Sequence, residues 1–262
     1  CKDQAICDLC KEPYGDLDTK NHTDLVKTDA VDATVEHTGN IEYWYCSGCE
    51  KYFADEQGEN EITKEDTVLP QLAPEITEGM NGTNIKAGWI KAGTQYCYAT
   101  PGEIKGLKAA ARAALATGAA VHTHTDGGSF ALEQLEIVLN EGLPGSQFGV
   151  AHIDRNPDFW LHKKIAESGA YLIYDGPGKV KYYPDSVRVD LLRRLVEAGF
   201  ENQIMLSNDM GKKSHHQSYG YGPGWGFIKQ KFIPRLLDEG FSEEVVHKFM
   251  YENPARFYAL RK

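Results

Sequence analysis

The sequence predicts an α/β chain, a parallel sheet with helices between its strands, preceded by a small, mostly β, cysteine-rich module. Three observations carry that expectation. Beyond residue 84, strand-like runs alternate with helical patterns about every 30 residues, the rhythm of a parallel sheet. Prolines stand near the starts of the helical stretches and glycines at their ends. The first 74 residues differ from the rest in charge and hold five cysteines, four of them in two Cys-x-x-Cys pairs.

At 262 residues the chain has room for one large α/β domain or two smaller ones. No apolar run approaches the roughly 18 residues of a membrane span, and no signal peptide is visible. The chain begins at Cys1 rather than Met, which reads as a fragment or a processed product. Residues 1–74 carry six lysines and no arginine against 17 acidic residues, a net of −11. The remainder is close to neutral at +1, within an overall −10. The break places a domain boundary near Pro70–Pro74 and divides the chain into 1–74 and 75–262. Such acidity argues against nucleic acid as a partner of the first part.

Within 1–74, Cys7-x-x-Cys10 and Cys46-x-x-Cys49 flank a polar stretch with a strand-like run, Ile41–Tyr45. Each knuckle can set two thiolates on one tetrahedral ion, so Cys7, Cys10, Cys46 and Cys49 together suit a structural zinc. In a segment with little core, metal binding would supply much of the folding energy. Two disulfides, or reduced thiols without metal, are the alternatives. The wording around the knuckles, including Asn21-His22-Thr23 and Glu42-Tyr43-Trp44-Tyr45-Cys46, resembles zinc-ribbon-like repeats of bacterial surface proteins over residues 5–70. That likeness implies an accessory module without catalytic groups.

Strands are expected at Ile85–Lys91, Ala119–His124, Gln147–His152, Tyr171–Tyr174 and Gln203–Ser207. Helices are expected at Gly102–Ala116, Ser129–Asn140, Pro157–Ser168 and Pro184–Ala198, with terminal helices over Phe227–Gly240 and Ser242–Met250. Ser242 is the expected N-cap of the last. His122 and His124 alternate along one strand and so share a face of the sheet. Reactive groups in parallel sheets collect at carboxyl ends of strands, and four of the five ends carry ligand chemistry: Lys91, His122/His124, His152 and Asp209. His162 and His247 read as helix-surface residues.

These residues resemble the phosphotriesterase family of the amidohydrolase superfamily, binuclear-metal (β/α)8 barrels that include phosphotriesterases and lactonases. The matching runs include Thr83-x-x-Lys86-Ala87-Gly88-Trp89-Ile90-Lys91, Thr117-Gly118-x-x-Val121-x-Thr123-His124-Thr125 and Ala151-His152-x-Asp154-Arg155-Asn156-Pro157-Asp158. They continue through Leu206-Ser207-Asn208-Asp209 and Asn253-Pro254-Ala255-Arg256. The resemblance spans residues 75–262 and implies a partial TIM barrel, strands 4 to 8. It makes Lys91 the strand-4 lysine, carboxylated to bridge two zinc ions, and His124, His152 and Asp209 the ligands of strands 5, 6 and 8. Hydroxide would attack a carbonyl or phosphoryl carbon or phosphorus, with Asp209 receiving the proton.

The family's first strand supplies a His-x-His pair, whereas residues 1–84 contain only His22 and His37. At most one well-bound catalytic-site metal and little or no activity are therefore expected, the alternative being a non-catalytic fragment or a binding or surface protein. The Ile85–Lys91 edge would need cover from the Cys module or from another chain, a homo-oligomer included. Tyr171–Gly176 and Ser218–Gly224 look like the branch that opens sugar lactones, some phosphorylated, so the expected partner is a small lactone or phosphoester. Lys179, Lys181, Lys212, His215 and Tyr219 are the candidate substrate contacts, with solvated lysines on a loop as the plainer reading of the first three. Localisation stays open, the hydrolase part suiting cytoplasm and the repeat likeness suggesting the cell surface.

Overall fold

The structure, a computed structural model, describes residues 5–6, 9–15, 22, 25–31, 39–69, 72–220 and 222–261. The chain divides into two compact units, Cys1–Ile85 and Lys86–Lys262. Among the described residues no helix is long and apolar enough to cross a membrane.

The N-terminal unit consists of short strands: β1 (Ala5–Ile6), β2 (Pro13–Tyr14), β3 (Leu25–Thr28), β4 (Gly39–Asn40), β5 (Tyr43–Cys46), β6 (Lys51–Phe53), β7 (Glu61–Ile62) and β8 (Val68–Leu69). The principal sheet is antiparallel in the order β3-β5-β6-β7, and β1 pairs with β2 and β4 with β8. A short helix, α1 (Leu72–Thr77), follows. Cys46 and Phe53 are the most deeply buried apolar side chains of this sheet. The ion pairs of Lys27 with Asp29 and Glu42 are largely exposed and add little stability.

The C-terminal unit carries five parallel strands in sequence order, β9 (Ile90–Gly93), β10 (Val121–His124), β11 (Phe148–Ala151), β12 (Tyr171–Tyr174) and β13 (Ile204–Leu206). Between them run α2 (Pro101–Thr117), α3 (Ala131–Asn140), α4 (Phe159–Glu167) and α5 (Asp185–Glu197). Sequence chemistry sets these ends. Thr100 and Glu103 form a capping box at the start of α2, and Gly118 ends it in the left-handed region at φ 74°. Asp158 caps α4 through the N–H groups of Trp160 and Leu161.

The two faces of the sheet differ. Thr123 is buried and bonds Gln134 of α3, while Gln134 returns a bond to the His124 carbonyl. His122 and His124 therefore take the opposite, inner face, half-buried. There Ala120, Ala151, Tyr171, Ile173 and Met205 pack with Phe257 and Tyr258 from the C-terminal helix.

Three expectations need correction. The first strand starts at Ile90, not Ile85, because its only strand neighbour among the described residues, β10, begins at Val121, the partner of Ile90. Ile85 is 63% exposed, and Lys91 lies near the start of its strand rather than at its carboxyl end. The terminal helices are interrupted: a wide π turn at Ile228–Phe232 leads into α6 (Ile233–Asp238), and another at Lys248–Glu252 joins α7 (Glu243–His247) to α8 (Asn253–Tyr258). Pro234 and Pro254, at the starts of α6 and α8, lack the N–H that a continuous α-helix needs. Finally, His162 is not a surface residue but fully buried, bonded to Tyr174 Oη at 2.6 Å and to the carbonyls of Ile153 and Asn156. His247 is exposed, and Ser242 caps α7 through the Val245 N–H.

Candidate active site

The site lies where β11, β12 and β13 end. Just past β11, His152 turns into the left-handed region at φ 64°, and beyond β13 Asp209 does the same at φ 41°. Non-glycine residues rarely hold such angles, and both bends bring their side chains toward the sheet's carboxyl edge. Asp175 follows directly on β12. Ligand atoms of His152, Asp175 and Asp209 all lie within 4.8 Å of one another.

The contacts within this group are specific. His152 bonds Asp175 twice, from its backbone N–H at 3.1 Å and between Nδ1 and Oδ1 at 2.7 Å. Arg155 donates to Asp209 Oδ2 at 2.9 Å and approaches Asp175 at 3.5 Å, its guanidinium lying over the Tyr182 ring. Lys179 donates to the Asp209 carbonyl at 2.7 Å and to its carboxylate at 2.9 Å. Burial would raise the Asp209 carboxyl, but the Lys179 bond and charge, joined by His152 and Arg155, outweigh it and hold the carboxyl below its usual value.

Beneath lies a second, wholly buried pair. Arg188 Nε donates to Asp154 at 2.6 Å, and Asp154 accepts the backbone N–H groups of Asp175 at 3.2 Å and Gly176 at 3.0 Å. This pair anchors the turn that presents Asp175.

The other expected residues take different places. The ring of His124 stands edge-on to that of His152, centroids 4.7 Å apart, and burial pushes its pKa down, helped by the positive fields of His152, Lys91 and Arg155. Lys91 retains solvent access, yet burial pushes its amine down despite the opposing fields of Asp175 and Asp209. His122, next to Lys91 in register, bonds Tyr258 Oη through Nδ1 at 2.8 Å and stacks near Trp89, and burial with the Lys91 charge takes its pKa to about 4. Neither His122 nor His124 belongs to the metal-competent group.

Of the candidate substrate contacts, Lys179 is buried on Asp209 rather than solvated on a loop. Lys181 is exposed and rests over Tyr182, Lys212 is exposed, and Tyr219 is half-exposed beneath the Lys213 ammonium. His215 has Nδ1 buried without a partner, and burial followed by the Lys179 charge pushes its pKa down.

Asp175 is the residue that sequence reasoning missed. Its signal was present: β12 is the one predicted strand whose end was assigned no ligand, and the residue after Tyr174 is acidic. In the N-terminal unit, Cys46 and Cys49 gather with His22 rather than with Cys10, which is exposed and outside the group. Cys7 lies outside the described residues.

Known proteins resemble this chain over about three quarters of its length. A phospho-furanose lactonase of Mycoplasmopsis synoviae (strain 53) is 33% identical over 214 residues, covering 76% of this chain and 61% of that protein. The phosphotriesterase homology protein of Escherichia coli (strain K12) is 37% identical over 189 residues, 72% of this chain and 64% of its own length. Among solved structures, a lactonase from Listeria monocytogenes superposes with a TM-score of 0.70 at 42% identity, covering 72% of this chain and 59% of that one. The chain thus spans about three fifths of the length of the relatives it matches. The Phosphotriesterase family pattern matches residues 35–258, and with the parallel α/β sheet in place the chain belongs to the phosphotriesterase family.

Proposed function

We propose that the C-terminal unit is the catalytic part of a metal-dependent hydrolase that opens the ester bond of a lactone, in the sugar-lactone class with phosphorylated members included. In this reading β9 to β13 stand for strands 4 to 8 of a (β/α)8 barrel, and residues 1–74 form an accessory module. The observation that carries it is the convergence of His152, Asp175 and Asp209 at three successive strand ends. One imidazole and two carboxylates fit a borderline divalent ion such as zinc. When bound, such an ion supplies Lewis acidity and lowers the pKa of water.

The chain's own groups do the rest. Asp175 fixes the orientation and tautomer of His152. Arg155 and Lys179 hold the Asp209 carboxylate ionised and aimed, ready to accept a proton from the attacking water. Charge then sets a condition on Lys91. Two carboxylates already face Arg155 and Lys179, so a protonated Lys91 would leave the site net positive and repel a dication. A neutral amine, which burial favours at Lys91, is also the only form that takes up CO2. Carboxylation would convert that position from repulsive to attractive, with His124 completing the inner face. Lys181, Lys212, His215 and Tyr219 form the polar rim for an anionic substrate group, while Lys179 serves Asp209.

The test is an assay of aliphatic and phosphorylated lactones beside a phosphotriester, with zinc supplied, comparing the chain with Asp209→Asn. Loss of roughly 100-fold or more in the variant supports the reading. Equal background rates would instead support a non-catalytic binding protein, the reading favoured by the engagement of Asp209 with two cations.

A further inference from the structure

We propose that the N-terminal unit holds a zinc ion through His22 Nδ1, Cys46 Sγ and Cys49 Sγ, with a histidine taking a place that the cysteine spacing gave to a thiol. The three ligand atoms lie within 4.8 Å of one another. His22 Nδ1 and Cys49 Sγ are 3.6 Å apart. Bonds of about 2.1 Å to nitrogen and 2.3 Å to sulfur at a tetrahedral angle put such a pair roughly 3.6 Å apart, so these two donors already stand at the spacing zinc requires.

The site is built rather than accidental. Cys46 ends β5 and Lys51 opens β6, so the connecting turn carries both thiols of the Cys46-x-x-Cys49 knuckle. Within it the N–H groups of Gly48 and Cys49 donate to the Cys46 sulfur, the arrangement that supports a metal-bound thiolate. The His22 ring is pinned from two sides. It packs on the buried Phe53 with centroids 4.5 Å apart. On its other edge lies Gly58, at φ 70°, where an added Cβ would meet His22 Cδ2 at 2.8 Å. A side chain held this closely, with a ring nitrogen aimed at a thiol, loses little freedom on binding a metal. Tetrahedral sulfur and nitrogen donors select zinc over harder ions. With so small a core around it, the ion would stabilise the whole unit.

The experiment uses the full chain, stripped with chelator and titrated with cobalt(II) and then zinc(II). The proposed catalytic site contains no thiolate, so thiolate-to-cobalt absorption reports cysteine ligation, and its dependence on Cys49 assigns it to this site. A tetrahedral thiolate band that vanishes in Cys49→Ser is expected, together with X-ray absorption showing sulfur and imidazole nitrogen around zinc. His22→Ala should weaken zinc binding by roughly tenfold or more. His22→Cys should keep the ion and add one sulfur to its shell, which separates loss of a ligand from loss of folding. A shell of four sulfurs in the unaltered chain, a His22→Ala affinity equal to the parent's, or no thiolate band at all would each overturn the assignment.

Discussion

Replacing Arg188 with methionine tests whether the ion pair beneath the site carries the architecture above it. Both side chains of the Asp154–Arg188 pair are fully buried. Arg188 also donates to the Tyr183 carbonyl at 2.6 Å and to Asp185 at 3.1 Å. Methionine fills much of the arginine stem's volume, so packing changes little. What changes is that Asp154 keeps only the N–H groups of Asp175 and Gly176 in a dry site. Removing one member of a buried pair costs about 3–5 kcal/mol, against a total stability of about 5–15 kcal/mol. Arg188→Met should therefore lower the urea midpoint of the C-terminal unit sharply. The double variant Asp154→Asn/Arg188→Met, which leaves no charge behind, should recover part of the loss. Burial already raises the Asp154 carboxyl above its usual value, the Asp175 charge adding to this and Arg188 opposing it. Loss of Arg188 removes that opposition. A carboxyl raised in the folded state contributes stability at low pH that is lost as pH rises through its folded value. The variant should thus be damaged less in mildly acidic buffer than at neutral pH. A cost below about 1 kcal/mol, or a double variant no more stable than the single one, would refute the claim that Arg188 compensates the buried Asp154 charge and so supports the turn above it.

Other outcomes follow from single contacts. Burial lowers the His162 pKa from 6.5 to about 4, so the folded state prefers the neutral ring and stability is lost as pH falls from about 6.5 toward 4. His162→Asn should flatten that part of a melting-temperature profile, and an unchanged profile would contradict it. Tyr174→Phe strips the partner from His162 Nδ1 in a buried site and should cost about 1–3 kcal/mol in urea denaturation. Gly118→Ala combines a positive φ with a Cβ that would overlap the Arg261 carbonyl, so its loss should exceed about 1 kcal/mol by the same measurement.

The sequence alone determined the parallel α/β unit, because hydrophobic runs, proline and glycine act within a few residues of where they stand. β12 spans Tyr171–Tyr174 as read, and α2, α4 and α5 lie within a residue or two of their expected bounds. The same local chemistry placed His152 and Asp209 at strand ends. Tertiary structure decided how those residues are used. Asp175 joined the site because β12 sits between β11 and β13, an order that no short window of sequence contains. His122 turned toward Tyr258, 136 residues away, and His162 turned inward to Tyr174, since a ring nitrogen takes whichever partner the fold brings near. Lys179 left the loop surface for Asp209 for an electrostatic reason: a half-buried carboxylate draws the nearest cations to itself. Periodicity gives a side chain its face, but only packing across distant segments gives it a partner.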